Sequence, residues 1–153
     1  MEKVLVLVKP DGLQRGLVGD IINRLENKGL KLIGLKMMTV EDALLEEHYA
    51  HIVDKPFYVE IRDNMKSSPI VAIALAGPQG TVSAVRLMVG STQGHDAQPG
   101  TIRGDYGMVG SFNIVHASDS PENGQAEVQR FFAKDQIFDY ERSMDRHIVS
   151  TKR

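Results

Sequence analysis

Apolar residues recur along this chain in two alternating ways, as short unbroken runs and as stretches that return every three or four positions. Residues 4–8 form an unbroken run closed by Lys9, Pro10, Asp11 and Gly12, the pattern of a strand buried on both faces. Residues 17–28 then set Val18, Ile21, Ile22 and Leu25 on one helical face, with Gly29 as the stop. A second strand lies within residues 30–40, and Thr39 with Asp42 resembles a capping box opening a helix through Leu44, Leu45 and His48. Asp54 and Pro56 start another helix, which carries Phe57, Ile61 and Met65. Residues 70–76 read as a third buried strand, 81–89 as a helix, 112–116 as a fourth strand, and a last helix presents Val128, Phe131 and Phe132. The order βα, β, helices, βα, β predicts an α/β sandwich. No repeat, low-complexity tract or linker divides residues 1–153, so one domain is expected.

Two places depart from plain scaffold. Residues 90–111 hold seven glycines or prolines at Gly90, Gly94, Pro99, Gly100, Gly104, Gly107 and Gly110 and show no periodicity, the pattern of a long structureless loop that is either functional or disordered. Within it PGTIRGDYG joins a free backbone to the guanidinium of Arg103, a combination suited to phosphate oxygens. On that reading, loss of Arg103 weakens chemistry far more than folding.

The second place is NIVHASDS, residues 113–120. Ser120, Pro121 and Glu122 read as the cap, first residue and first-turn acid of a helix, so His116 stands at a strand-to-helix switch. Helix N-termini favour anions, and a neutral imidazole is a competent nucleophile when a carboxylate fixes its tautomer. Glu127, on the helix that His116 leads into, is the candidate carboxylate, with Ser118, Asp119 and Ser120 as short polar neighbours. His48 and His51 have a spacing that could ligate metal, but no acid or cysteine partner is evident, so helix-surface histidines are expected there.

Composition narrows the function classes. The chain has no cysteine, which removes disulfides, thiolate catalysis and Cys-ligated metal. A net charge of -2 gives no global drive toward nucleic acid, and no apolar run reaches the length of a membrane span. Residues 1–12 lack a signal-peptide pattern, and a cytoplasmic location is expected. No GxxxxGK[ST] follows a strand, which disfavours a P-loop kinase.

KPDGLQRGLVGDII near the start, HY with DKPF in the middle, PGTIRGDYG, and NIVHASDS together resemble nucleoside diphosphate kinases in order and approximate spacing, over nearly the whole chain. The resemblance implies a ferredoxin-like βαββαβ α+β sandwich, with a four-stranded antiparallel sheet covered by helices. It further implies transfer of the γ-phosphoryl of a nucleoside triphosphate, typically ATP, to a nucleoside diphosphate through a phosphohistidine at His116. Magnesium would ride on the nucleotide phosphates without direct protein ligands. By the same resemblance Lys9, Arg86, Thr92 and Arg103 contact phosphates, Phe57 stacks on the base, and Tyr49 lies near the histidine. Asn113 binds the sugar or phosphate region, and Glu127 and Ser118 support His116. Assembly as a hexamer or tetramer is implied, with residues 90–111 and 142–153 as contact regions.

Some positions depart from the family's pattern. Ala117 stands where glycine usually follows the histidine, which indicates a turn that does not need positive φ. Gln93, Gly94 and His95 replace a segment that often carries asparagine and proline, and an insertion near Gly80 is indicated. The alternative on the same fold is a catalytically silent nucleotide-responsive module. Every matched catalytic position is present, which favours the enzyme.

Overall fold

The computed structural model describes residues 1–150. Strands β1 (Glu2–Val8), β2 (Lys31–Met38), β3 (Ile70–Gly77) and β4 (Val115–Ala117) form one sheet in the order β2-β3-β1-β4, every neighbouring pair antiparallel. Helices α1 (Pro10–Gln14) and α2 (Val18–Asn27) link β1 to β2, and α3 (Asp42–His48) and α4 (Tyr58–Lys66) lie between β2 and β3. Next come α5 (Thr81–Val89) and α6 (Ile102–Tyr106), and α7 (Pro121–Phe131) follows β4. This is the expected ferredoxin-like βαββαβ arrangement with added helices. None of the helices is long and apolar enough to cross a membrane, among the described residues.

Side chains alternate across a strand, so β1 supplies two cores at once. Val4, Val6 and Val8 pack with Ile21 and Leu25 of α2 and with Val82, Val85 and Val89 of α5. Leu5 and Leu7 face the other way, toward Leu45 of α3, Met65 of α4, and Val128 and Phe131 of α7. Each buried aliphatic side chain contributes about 1.5–3 kcal/mol, and double-sided burial explains why β1 and β3 read as unbroken apolar runs. The register of β1 with β4 opposes Leu7 to His116. Directly opposed residues of an antiparallel pair share a face, so His116 emerges toward α3 and α7 while Val115 and Ala117 join the opposite core.

Helix α7 reaches β1 closely at Gly124, where a Cβ would sit 2.1 Å from the Lys3 carbonyl oxygen. Only glycine permits that approach, and it sets how Glu127, three residues on, faces β4. Ser120 caps α7 as its sequence predicts, its hydroxyl accepting from the Asn123 N–H at 3.1 Å.

Four local expectations need correction. Residues 90–111 are not structureless, because they contain a 3-10 turn at Gly94–Asp96 and the short α6, whose N-cap Thr101 accepts from Gly104 N–H at 2.9 Å. A Cβ at Gly104 would lie 1.9 Å from the Gln98 carbonyl oxygen, so this glycine serves close packing. A five-residue helix carries too little periodicity to be seen in sequence. The capping box at Thr39 and Asp42 does not form: Glu41 is the cap of α3, without a side-chain bond, and the Asp42 carboxylate accepts from Lys66 Nζ at 2.6 Å instead. The helix expected from Pro56 begins at Tyr58. The fourth strand begins at Val115 rather than 112, and Phe112 is exposed.

Candidate active site

A relay of hydrogen bonds runs from β1 to the exposed edge of His116. The Leu5 N–H donates to Ser118 Oγ at 2.9 Å, Ser118 Oγ–H donates to Glu127 Oε1 at 2.6 Å, and the same oxygen meets His116 Nε2 at 2.9 Å. An ionised carboxylate only accepts, so Nε2 carries the ring proton and Nδ1 keeps its lone pair. Burial opposes ionisation of Glu127, but the hydrogen bond and charge of His116 and the Ser118 hydroxyl outweigh it, leaving the carboxyl below its ordinary range. Ser118 is fully buried, which fixes the carboxylate's position.

His116 opens into a cleft of about 570 Å³ whose wall includes Tyr49, Arg86, Asp119, Asn123 and Arg130. Arg86 is exposed, and its Nη1 donates to the Ala117 carbonyl at 3.3 Å, which aims a cation along β4. Burial, then the Glu127 charge, push the Tyr49 phenol up to about 12, so it stays a neutral hydroxyl. Ala117 is buried opposite Val6, and its φ is not positive, so the extra methyl fits the core as its sequence position indicates.

A second cluster is joined to the first through the backbone of residues 113–117. Lys9 Nζ donates to Asn113 Oδ1 at 2.7 Å, and Asn113 Nδ2 donates to the Thr92 carbonyl at 3.2 Å. Burial and then the Arg103 charge draw the Lys9 ammonium down to about 8, against the opposing pull of Asp11. Between the clusters the chain makes a γ-turn: Val115 N–H donates to the Asn113 carbonyl at 2.8 Å, with Ile114 at φ 73°. That conformation is strained for a β-branched residue. It is held because the Ile114 N–H donates to Asp11 Oδ2 at 2.9 Å while the Ile114 carbonyl accepts from Lys9 N–H at 2.9 Å. The turn interrupts the expected strand and separates Asn113, facing Lys9, from His116, facing α7.

Arg103, expected at the phosphates by resemblance, is engaged by the protein's own backbone. It is buried, and its guanidinium donates to the carbonyls of Asn113 at 3.1 Å, Gly90 at 3.3 Å and Val115 at 2.7 Å. Burial, with repulsion from Arg86, lowers it to about 10. It therefore braces the backbone beneath the site and retains few free donors, whereas Arg86 is the freer cation. Thr92 is exposed and enters through its carbonyl. Phe57 is half exposed at the start of α4 and outside the cleft around His116.

His48 is not on a helix surface. It is buried, its ring stands edge-on to His116 with centroids 4.6 Å apart, and its Nδ1 lies 3.0 Å from Arg130 Nη1. Its place on the face of Leu44 and Leu45 was the available signal. Arg130 and Asp11 were likewise unassigned, since their partners lie 82 and 103 residues away. Donor atoms of His48, His116 and Glu127 lie within 4.8 Å of one another. Two are nitrogens and all three groups are engaged in hydrogen bonds, which does not suit a hard, oxygen-seeking ion such as magnesium.

The chain is similar to known proteins over nearly its whole length. The family model described as nucleoside diphosphate kinase matches residues 2–137. A nucleoside diphosphate kinase of Parabacteroides distasonis is 51% identical over 141 residues, 92% of each chain. The crystal structure of a nucleoside diphosphate kinase family protein from Babesia bovis superposes with a TM-score of 0.93 at 40% identity, covering 97% of this chain and 100% of that one. A halophilic nucleoside diphosphate kinase from Halobacterium salinarum in complex with CDP gives 0.92 at 41%, covering 97% and 98%.

Proposed function

The chain belongs to the nucleoside diphosphate kinase family, and from that premise we propose that His116 Nδ1 is the nucleophile of its phosphoryl exchange. The observation that carries the proposal is the Glu127 contact to Nε2, which leaves Nδ1 unprotonated beside the cleft.

The lone pair of Nδ1 attacks the γ-phosphorus of a nucleoside triphosphate as the bond to the bridging oxygen breaks. The nucleoside diphosphate departs with that electron pair. The ring becomes a phosphorylated, cationic imidazole, and Glu127 stabilises its charge through the Nε2–H. In the second half an oxygen of a different nucleoside diphosphate attacks the same phosphorus, the N–P bond breaks, and neutral His116 returns. No general base is required, and one site serves both nucleotides in turn. Positioning and cations carry the rest of the acceleration, because the transferring group spreads negative charge over its equatorial oxygens. Arg86 and Lys9 supply those cations, Asn113 orients Lys9, and Arg103 holds the carbonyls around them. Tyr49 donates its hydroxyl within the cleft, Thr92 completes the phosphate side, and Phe57 offers its exposed ring to the base. Magnesium enters with the nucleotide as part of the substrate. Incubation with γ-labelled ATP and magnesium without acceptor tests the reading: an acid-labile, alkali-stable phosphoprotein is expected, and an unlabelled chain overturns it.

The Lys9 environment adds a pH dependence. An ammonium drawn down to about 8 is charged below that pH and loses its charge as pH rises through it. Affinity for a nucleoside triphosphate is therefore expected to fall by up to about tenfold per unit above pH 8. Calorimetric titration from pH 7 to 9.5 measures it, with Lys9→Met flattening the slope; a flat wild-type profile contradicts the assignment.

We treat residues 1–153 as one catalytic domain in the cytoplasm; freedom from cysteine suits that compartment, and cell fractionation checks it. A homo-oligomer, hexamer or tetramer, is supported by exposed apolar residues in the expected contact regions, Met108 and Val109 in one and Met144 and Ile148 in the other. Residues 151–153 of the second region lie outside the described residues. Sedimentation of the intact chain settles the assembly, and a purely monomeric boundary sinks it.

A further inference from the structure

Residues 9–12 grip Ile114 on both sides of its backbone. Its N–H donates to Asp11 Oδ2 at 2.9 Å, and its carbonyl accepts from the Lys9 N–H at 2.9 Å. Gly12 permits this closeness, since a Cβ there would lie 2.8 Å from Val8 Cγ1 and 3.1 Å from the Ile114 carbonyl oxygen. The second oxygen of the Asp11 carboxylate reaches the other way. Asn64, buried on α4, aims its Nδ2 at Asp11 Oδ1 from 3.5 Å, the one hydrogen bond of its amide group among the described residues. A buried amide needs a partner, so Asn64 serves a link rather than apolar packing. Asp11 thus stands between two parts of the site. One is α4, whose N-cap is the half-exposed Phe57. The other is the turn that sets Asn113 toward Lys9 and His116 toward α7.

We propose that Asp11 is a positioning residue for phosphoryl transfer: one carboxylate oxygen holds the strained turn between Asn113 and His116, the other holds α4, and together they fix the base end of the site relative to its phosphate end. The inference rests on His116 being the nucleophile and Phe57 the base surface. Asp11 has a task that its neighbours do not share. Lys9 N–H and the Arg103 guanidinium address carbonyls in this stretch, whereas Asp11 alone among the described residues accepts from the Ile114 N–H. A positive φ strains a β-branched residue, and the bond to Asp11 offsets that strain. Ile114 is fully buried, so without the carboxylate its N–H is orphaned and the strained geometry loses what favoured it. Residues 113–115 then relax and carry Asn113 away from Lys9 Nζ, which it meets at 2.7 Å.

The test is single-turnover labelling of His116 by γ-labelled ATP at pH 6.5, below the value of about 8 at which Lys9 loses its charge. The rate per labelled molecule does not depend on how much of the chain is folded, so lost stability alone leaves it unchanged. Asp11→Ala is expected to slow labelling at saturating ATP by about tenfold or more, the scale set by misplaced reacting groups. Asp11→Asn keeps an oxygen for the Ile114 N–H, and the Asn64 amide can turn its own oxygen toward the new amide, so its rate should stay within about twofold of wild type. Asn64→Leu cuts only the helix arm: half-saturation by ATP and inhibition by ADP should weaken about three- to fivefold, while the maximal rate and inhibition by pyrophosphate hold. The two milder variants carry the test if Asp11→Ala does not fold. A wild-type maximal rate in Asp11→Ala overturns the proposal, as does an Asp11→Asn that loses as much as Asp11→Ala, or an Asn64→Leu that binds ADP like wild type. Absence of label from wild type would instead overturn the functional reading, while amide exchange at Ile114 in Asp11→Ala still decides whether Asp11 holds the turn.

Discussion

Replacing His116 by alanine is expected to abolish the phosphoprotein formed with γ-labelled ATP and to lower nucleotide exchange by about four orders of magnitude or more. The size follows from the absence of a substitute. His48 has its Nδ1 engaged by Arg130 and its proton on Nε2, so it presents no free lone pair. The change should leave folding nearly intact, because the His116 side chain is partly exposed and Glu127 retains the Ser118 hydroxyl at 2.6 Å. A shift in Tm of a few degrees is the expected limit. Label retained in His116→Ala, or mapped to another residue, would remove the mechanism. Glu127 makes the companion case through the tautomer: without its carboxylate the Nδ1–H form becomes accessible, which places the proton on the atom that must attack.

The second large effect concerns Arg103, and it is an effect on stability as well as activity. Arg103→Met removes the guanidinium from three backbone carbonyls, those of Gly90, Asn113 and Val115, of which that of Asn113 keeps the Val115 N–H. Hydrogen bonds from a charged group contribute about 1.5–3 kcal/mol each, and removing a buried cation crowded by Arg86 recovers part of that. A net loss of about 2–4 kcal/mol is expected, which for a chain of this size lowers Tm by roughly 5–15 °C. Lysine should not rescue it, because a point-like ammonium cannot span three carbonyls. Arg86→Met is the contrast: an exposed guanidinium with one long bond should change stability by less than about 1 kcal/mol while weakening nucleotide binding. Calorimetric melting of the two variants decides the matter. If Arg103→Met melts with wild type and loses only activity, the expectation drawn from its loop motif stands and the bracing role fails.

The contrast between the arginines shows where sequence reading reaches and where it stops. Family resemblance assigns both to phosphates, and neither the helix of Arg86 nor the glycine-rich segment of Arg103 says which of them the fold buries. What separates them is the γ-turn at Ile114, which turns the carbonyls of Asn113 and Val115 toward Arg103, and the close packing of residues 90–111 around Gly104. His48 tells the same story. Its spacing after Leu44 and Leu45 placed it on an apolar face, but the ring it meets belongs to β4, 68 positions later along the chain.

By itself the sequence determined the strands β1 and β3, the amphipathic helices and the Ser120 cap of α7, and it named His116 and Glu127 as candidates. The elements rest on periodicity and caps, interactions that neighbouring residues settle among themselves. Only the tertiary structure decided that His116 faces Glu127 on α7, that Asp11 holds the strained turn before it, and that Arg130 reaches a second imidazole beside it. Those relations depend on the β1–β4 register and on how closely α7 approaches β1 at Gly124. A one-residue slip in that register would turn His116 into the opposite core, and no local pattern records which register the packed sheet selects.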